Sequence, residues 1–240
     1  KGIDLFIDGH SHTQIDGGQT VGETLLVSTG EYCQNLGVVV FDGEALKAGL
    51  YTGSKAEVAE LVNSVNKEVT DQLSAVFATT SVDLNGERDP GVRTMETNLG
   101  DFACDAILWA AQQALGDQVV AAVTNGGGIR ASIPAGDITM NDMKTVFPFG
   151  NEVSVLTVKG SELLEALEAA TCTTPDAIGA FPQVAGIEFT VDTSVPYENG
   201  EMYPDSTYYA PAKPGARVTI ATVGGEAFDP EKLYTIATND

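Results

Sequence analysis

The sequence predicts an α+β fold (α/β layers), in which mixed sheets are flanked by helices. Residues 119–123 form a short run of apolar and β-branched residues that ends at a polar residue and three glycines, the pattern of a buried strand. Segments with apolar residues at spacings of three and four, such as 54–73, alternate with strand-like segments along the chain. The longest apolar run, 36–41, is far shorter than the roughly 20 residues that a transmembrane helix needs.

The charge balance excludes some classes of partner. The formal net charge of −22 argues against a DNA or RNA polymer, whose phosphates require clustered basic side chains. An anionic small molecule would have to be attracted by a local basic site against this background. The chain's four arginines are therefore individual candidates, namely Arg88, Arg93, Arg130 and Arg217.

The segment 119–151 carries the most specific pattern. After the strand, consecutive glycines from Gly126 allow a positive φ or a close backbone approach. Arg130 offers a planar donor fork that suits phosphate or carboxylate. Phe149, between a proline and a glycine, offers a flat face for a base. Together these features predict a binding site for a small anionic, aromatic ligand.

The string NGGGIR, a following G-x-I-T and then PFGN resemble the C-terminal domain of the 5′-nucleotidase family. In that family the C-terminal domain binds the nucleoside, while an N-terminal metallophosphoesterase domain carries two metal ions. The resemblance implies that a nucleotide or nucleoside is held by Asn125, Gly127, Gly128, Arg130, Phe149 and Asn151.

A short strand within residues 1–13 leads to His10 and His12. This G-H-x-H pattern resembles the last metal-ligand motif of calcineurin-like phosphoesterases, and imidazole suits zinc and similar ions. The resemblance implies that His10 binds one divalent ion (Zn, Mn or similar) and His12 the other. The remaining ligands would precede Lys1, so the site is incomplete and no residue here is assigned a catalytic role. A solvated surface pair is the alternative.

Three domain segments are predicted. Residues 1–53 would be a remnant of the phosphoesterase sheet, with strands at 24–28, 36–41 and 45–51 and a turn at Asp42-Gly43. Residues 54–76 would contain a linker helix, with Ser54 and Glu57 as a capping box. Residues 77–240 would be the nucleoside-binding domain.

A second motif begins at Arg93 and follows the pattern R-x-x-E-x-N-x-G. Asn98 is a candidate N-cap for the helix after it. The predicted buried stripe of that helix is Phe102, Ala106, Trp109 and Ala110. By resemblance Arg93 contacts the ligand; a solvated surface arginine is the alternative.

Strands at 152–159 and 187–192 flank a helix that begins at Gly160, whose glutamates at 162, 165 and 168 are expected to be solvated. Phe181 and Gln183 are expected, by resemblance, to support the nucleoside loop. A surface excursion at 193–215 is followed by a closing hairpin of 218–223 and 233–238. Family members normally continue with a second aromatic residue and an aspartate, so the domain is expected to be truncated at its end.

The resemblance implies a piece of a periplasmic, extracellular or cell-surface phosphoesterase that hydrolyses nucleoside phosphomonoesters. The chain alone, without its N-terminal catalytic domain, is expected to be inactive. Two alternatives stay open. One is a non-catalytic nucleotide-binding module; the other is a related enzyme for cyclic nucleotides, UDP-sugars or sulfur-linked substrates.

Overall fold

The predicted α+β class is confirmed by a computed structural model of the chain, which describes residues 2–240. The helices are α1 (Ala56–Leu73), α2 (Asn98–Leu115), α3 (Met140–Val146) and α4 (Gly160–Ala170). The strands are β1 (Leu5–Ile7), β2 (Gln14–Val21), β3 (Thr24–Thr29), β4 (Leu36–Phe41), β5 (Leu46–Tyr51), β6 (Val76–Thr80), β7 (Val119–Asn125), β8 (Gly136–Thr139), β9 (Val153–Lys159), β10 (Pro182–Ala185), β11 (Ile187–Val191), β12 (Asn199–Met202), β13 (Tyr209–Pro211), β14 (Val218–Val223), β15 (Glu226–Ala227) and β16 (Leu233–Asn239). Two compact units divide inside α1, between Val69 and Thr70. None of the helices within residues 2–240 has the length and apolar character needed to cross a bilayer.

The first unit contains a three-stranded sheet and a separate hairpin. In the sheet, β3 lies between its parallel neighbour β1 and its antiparallel neighbour β2. The β4–β5 hairpin turns where predicted, because Asp42 Oδ1 accepts hydrogen bonds of 3.0 Å from the backbone nitrogens of both Glu44 and Ala45. The predicted capping box of α1 is wrong. This helix begins at Ala56, two residues after Ser54, and Glu57 instead forms a 2.8 Å ion pair with Lys55.

The second unit is built around a four-stranded sheet in the order β10-β7-β16-β9. Strands β7 and β16 are parallel, and the other two pairings are antiparallel. Neighbouring residues of a strand face opposite sides of a sheet. Accordingly, Ala122 packs with Cys104 and Ala111 of α2, whereas Ala121 packs with Leu163 of α4. The sheet is thus covered by one helix on each face, and β7 ends at the triglycine segment.

The N-terminus of α2 differs from its prediction. The N-cap is Thr97, whose Oγ1 accepts a 3.1 Å hydrogen bond from Gly100 N. Asn98 instead ties the helix to the preceding loop: its Nδ2 donates to Asp83 O and its Oδ1 accepts from Asn85 N, both at 2.8 Å.

The predicted buried stripe of α2 is also wrong. Phe102 and Trp109 are 57% and 63% exposed. The buried residues of α2 are Leu99, Gly100, Ala103, Cys104 and Ala111. Four of these five side chains are small, which lets the helix axis lie close to the sheet. The aromatic residues of α2 therefore face away from it.

The predicted closing hairpin of 218–223 and 233–238 does not form. β14 is paired instead with β11 and, across the Gly224-Gly225 turn, with the two-residue β15. β16 lies in the other sheet, between β7 and β9. Its middle is buried on both faces, with Tyr234 2% and Ala237 0% exposed, which is typical of a central strand.

The three cysteines are free and differ in accessibility: Cys33 is exposed, Cys172 half-buried and Cys104 buried. Burial raises the pKa of the Cys104 thiol to about 12. Because the thiolate is the reactive species, a raised pKa keeps Cys104 neutral and inert. At pH 8 we expect iodoacetamide to modify Cys33 and spare Cys104, as measured by peptide mass spectrometry. Urea-unfolded protein should react at both cysteines, and equal labelling in the folded protein would contradict the expectation.

Candidate functional site

The triglycine segment is held by close backbone contacts with two neighbouring segments. Gly126 N donates to Phe181 O at 2.7 Å, and Gly127 N donates to Gly179 O at 2.8 Å. A Cβ on Gly126 would lie 1.8 Å from Val92 O. None of the three glycines has a positive φ. Glycine is needed here because the protein's own backbone approaches closely, which was one of the two possibilities that the sequence offered.

Asn125 lies behind the triglycine segment. Its Nδ2 donates to Gly179 O at 3.3 Å, and its Oδ1 accepts from Asn239 Nδ2 at 3.4 Å. Asn239 also accepts a 2.8 Å hydrogen bond from Thr124 Oγ1. Asn239 was not predicted as a site residue, because only the sheet pairing brings β16 beside β7. In this arrangement the side chain of Asn125 supports the loop.

The side chains of Arg130 and Phe149 contact each other on the exposed side of the loop. The Arg130 guanidinium lies 5.8 Å from the centroid of the Phe149 ring, within cation–π distance. Arg130 Nη1 donates to Gly127 O at 3.2 Å, and its backbone nitrogen donates to Val146 O at 2.9 Å. Phe149 is 52% exposed, so its ring is accessible to a ligand.

Arg88 and Arg130 both lie within electrostatic range of Arg93. Burial, followed by the positive charges of Arg88 and Arg130, lowers the pKa of Arg93. Among residues 2–240, no carboxylate lies within 4.0 Å of any of these three arginines. Arg88 was singled out only as one of four arginines, and the sequence pattern did not assign it to the site. An unneutralised cluster of cations in a protein of net charge −22 suits an anionic ligand.

The fourth arginine, Arg217, has a structural role elsewhere. It is 4% exposed, and its guanidinium donates to the carbonyl oxygens of Thr171, Cys172 and Thr174 at 2.9–3.1 Å. Nearby Glu168 is 1% exposed, which corrects its predicted solvation. Its carboxylate is buried because it accepts hydrogen bonds from the backbone nitrogens of residues 215 and 217.

A cleft of about 310 Å³ has Phe149 in its wall and so opens beside Arg130. Gly128, Phe149 and Asn151 line it, which brings together three of the predicted site residues. The opposite wall is an apolar face of α2 that includes Phe102, Ala106 and Ala110. The misassigned face of α2 is therefore a wall of the cleft, and an aromatic ligand group would find apolar surface on both sides.

His10 and His12 belong to the first unit, on the loop between β1 and β2. His12 Nδ1 pairs with the Glu31 carboxylate, and its ring packs edge-on against Tyr32 with centroids 6.2 Å apart. This pairing leaves Nε2 of His12 as the nitrogen available to a metal ion. Residues 2–240 contain no group of three or more His, Cys, Asp or Glu side chains arranged to hold a metal ion. The two imidazoles can thus contribute ligands but do not form a metal site by themselves.

Comparison with known proteins adds independent findings. Residues 76–240 match the family model described as the 5′-nucleotidase C-terminal domain. The trifunctional nucleotide phosphoesterase protein YfkN of Bacillus subtilis is 36% identical over 261 residues, which cover 100% of this chain and 16% of YfkN. Protein UshA of Escherichia coli is 32% identical over 200 residues, which cover 82% of this chain and 31% of UshA.

Among solved structures, a 5′-nucleotidase precursor from Thermus thermophilus matches with a TM-score of 0.68 and 30% identity. The match covers 100% of this chain and 50% of that one. The chain thus spans half the length of this structural relative, and less than a third of YfkN and of UshA.

Proposed function

The chain belongs to the 5′-nucleotidase family, and on that premise we propose that its second unit recognises the nucleoside and phosphate of a nucleotide for a phosphohydrolase. The longer protein would hydrolyse nucleoside phosphomonoesters. Arg93 and Arg130, with Arg88 beside them, would bind the phosphate or ribose oxygens. Asn151, Gly127 and Gly128 would contact the nucleoside.

The observation that carries this proposal is the cluster of Arg88, Arg93 and Arg130, of which Arg130 lies over Phe149 in the wall of an apolar cleft. The cluster has no carboxylate partner within 4.0 Å among residues 2–240, and the adjacent cleft is mostly apolar. A nucleotide combines one anionic group with one flat aromatic group. It can therefore satisfy both parts of the site at once.

The catalytic part of the proposal lies outside the second unit. His10 and His12 would each supply one ligand to a pair of divalent ions, whose chemistry is to activate a water molecule for attack on the phosphate ester. Glu31 would keep the His12 ring oriented through Nδ1. An extracellular, periplasmic or cell-surface location is part of the same proposal.

Two alternatives make different demands on the substrate. A non-catalytic nucleotide-binding module would bind AMP and release no phosphate in any longer form of the protein. A related phosphoesterase would act on cyclic nucleotides, UDP-sugars or sulfur-linked substrates. The second alternative is favoured by YfkN, which is named a trifunctional nucleotide phosphoesterase and matches the full length of this chain. A substrate panel on the longer protein separates the two.

The direct test of recognition is calorimetric titration of the 240-residue chain with AMP, adenosine and inorganic phosphate. We expect AMP to bind more tightly than either fragment, because only AMP occupies both the arginine cluster and the cleft. Arg93→Ala should weaken AMP binding more than adenosine binding. Absence of binding heat for all three compounds would show that the proposed recognition role is wrong.

Phe149→Ala tests the stacking platform. Base–aromatic stacking contributes about 1–3 kcal/mol, so AMP affinity should fall about tenfold, and adenosine affinity by a similar factor. Phe77→Ala is the matched control, because Phe77 is 54% exposed, close to the 52% of Phe149, and does not line the cleft. Equal affinities for the two variants would refute the stacking role.

The 240-residue chain alone is expected to release no phosphate from AMP in the presence of excess Zn²⁺ or Mn²⁺. The reason is that His10 and His12 are not joined by a third suitably placed ligand within residues 2–240. A colorimetric phosphate assay, run beside a full-length 5′-nucleotidase as the positive control, measures this. Comparable turnover by the two would mean that the catalytic ligands lie within this chain.

A further inference from the structure

We infer that Gln183 is a positioning residue: its side-chain amide fixes the turn at residues 92–97 and so places Arg93. The inference rests on the proposed function, since Arg93 is assigned there to the ligand. Gln183 itself does not reach the cleft.

The Gln183 amide uses both of its ends on one short backbone segment. Its Nε2 donates to Val92 O at 3.0 Å and to Met95 O at 2.8 Å. Its Oε1 accepts from Thr97 N at 3.3 Å. All three partners are backbone atoms, and they lie on both sides of Arg93 in sequence. Gln183 is 1% exposed, so its amide makes these bonds away from water.

The Gln183 amide packs tightly against the backbone of α2. A Cβ on Gly100 would lie 1.9 Å from Gln183 Oε1, so a glycine in α2 leaves the space that the amide occupies. Gln183 also lies on β10, opposite Thr124 of β7, which ends beside the triglycine segment. The glutamine therefore connects the sheet to the turn that carries Arg93.

The same turn contacts the triglycine segment at the carbonyl that Gln183 holds. Val92 O, which accepts from Gln183, is the atom that a Cβ on Gly126 would meet at 1.8 Å. On the other side, Ile178 N donates to Arg93 O at 3.1 Å. The backbone around Arg93 is thus held from two directions. Within the turn, the Thr94 hydroxyl also accepts from Gly91 N and donates to Gly91 O, whereas Gln183 supplies side-chain contacts from another element of the fold.

Without the amide, two carbonyls and one N–H of the turn would lose their partners. A buried unpaired backbone group destabilises the conformation that buries it, so the turn should open and Arg93 should sample several positions. The effect on ligand affinity would then pass through Arg93. A role confined to capping α2 through Thr97 would instead lower stability and leave the contribution of Arg93 unchanged.

The test is a double-mutant cycle on the 240-residue chain with AMP as the probe. Gln183→Met keeps the length of the side chain and removes all three hydrogen bonds. We expect AMP affinity to fall about tenfold, and we expect Arg93→Ala to have little further effect in that background. The matched control is Gln112→Met, which removes a 2.9 Å side-chain bond from Nε2 to Val119 O at the far end of α2. In this control background Arg93→Ala should keep its full effect.

A ligand-free measurement separates this inference from the proposed function. Hydrogen exchange at the amides of Thr94, Met95 and Thr97 should be faster in Gln183→Met than in the parent and in Gln112→Met, with β9 and β16 unchanged. Failure of the parent to bind AMP would count against the proposed function only. Unchanged exchange in 94–97 would overturn the inference, as would an undiminished effect of Arg93→Ala.

Gln183→Glu provides a second variant in case the methionine variant does not fold. An ionised carboxylate would face the carbonyls of Val92 and Met95, whereas a protonated one can donate to one of them. The AMP affinity of this variant, relative to the parent at the same pH, should therefore improve as pH falls from 8 to 5. A pH-independent ratio would contradict the positioning role.

Discussion

Gly126→Ala is expected to abolish measurable AMP binding and to destabilise the second unit. The new Cβ would lie 1.8 Å from Val92 O and 2.6 Å from Val92 C, distances that no side-chain rotation can relieve. The cost should be about 3 kcal/mol, the upper end of the usual range for overpacking, because both clashing atoms are backbone. Thermal unfolding and calorimetric titration with AMP measure the two effects.

The matched control is Gly150→Ala, which adds the same methyl group beside Phe149. A Cβ on Gly150 has no neighbour within 4 Å, and the residue does not have a positive φ. Gly150→Ala should therefore leave both the melting temperature and AMP affinity close to those of the parent. If Gly126→Ala behaves in the same way, the close approach of Val92 to the triglycine segment is not present in solution.

Arg130→Lys is expected to weaken AMP binding about tenfold or more, although the charge is kept. The Arg130 guanidinium donates to Gly127 O and also lies over Phe149, which gives it a defined orientation. Lysine is a point charge on a flexible chain and cannot reproduce a planar fork. Hydrogen bonds to a charged group contribute about 1.5–3 kcal/mol, which sets the size of the effect.

Two further variants separate geometry from charge at this position. Arg130→Ala should bind AMP more weakly than Arg130→Lys, because the alanine variant also loses the positive charge. Lys144→Ala removes an exposed cation from α3 and should change AMP affinity little. If Arg130→Lys matches the parent while Arg130→Ala does not, only the charge of Arg130 contributes.

Local sequence patterns correctly predicted those elements that are defined by residues adjacent in sequence. The strand β7, the β4–β5 turn at Asp42 and the start of α4 at Gly160 agree with their predictions. The predictions for α2 and β16 failed for two different reasons. In α2, the aromatic residues and the small residues each form a helical stripe, and the small stripe packs on the sheet because it permits a shorter distance. β16 was assigned to a hairpin because hydrophobic pattern does not identify a strand's partner.

The loops of the candidate site were predictable because each is continuous in sequence and has a specific composition. Three adjacent glycines, Arg130 and Phe149 all lie within the segment 119–151, and their chemistry indicates a small ligand without any tertiary information. The structure also brings Gly128, Phe149 and Asn151 to one cleft. The ligand contacts themselves stay a prediction, which the titrations above can test.

Other features of the site depend on residues far apart in the chain. Arg88 and Arg93 approach Arg130 because the 86–97 segment crosses the end of β7, and Gln183 reaches that segment from 86 to 91 residues away. Local sequence patterns predict helices, strands and turns, but they do not show which of these elements contact one another in the folded protein. The sequence thus predicted which loops carry the candidate site and which chemistry they offer. Folding determined which cations lie near Arg93 and which buried amide bonds the backbone on either side of it, because desolvation and backbone hydrogen bonding act between segments that only the packed sheet brings into contact.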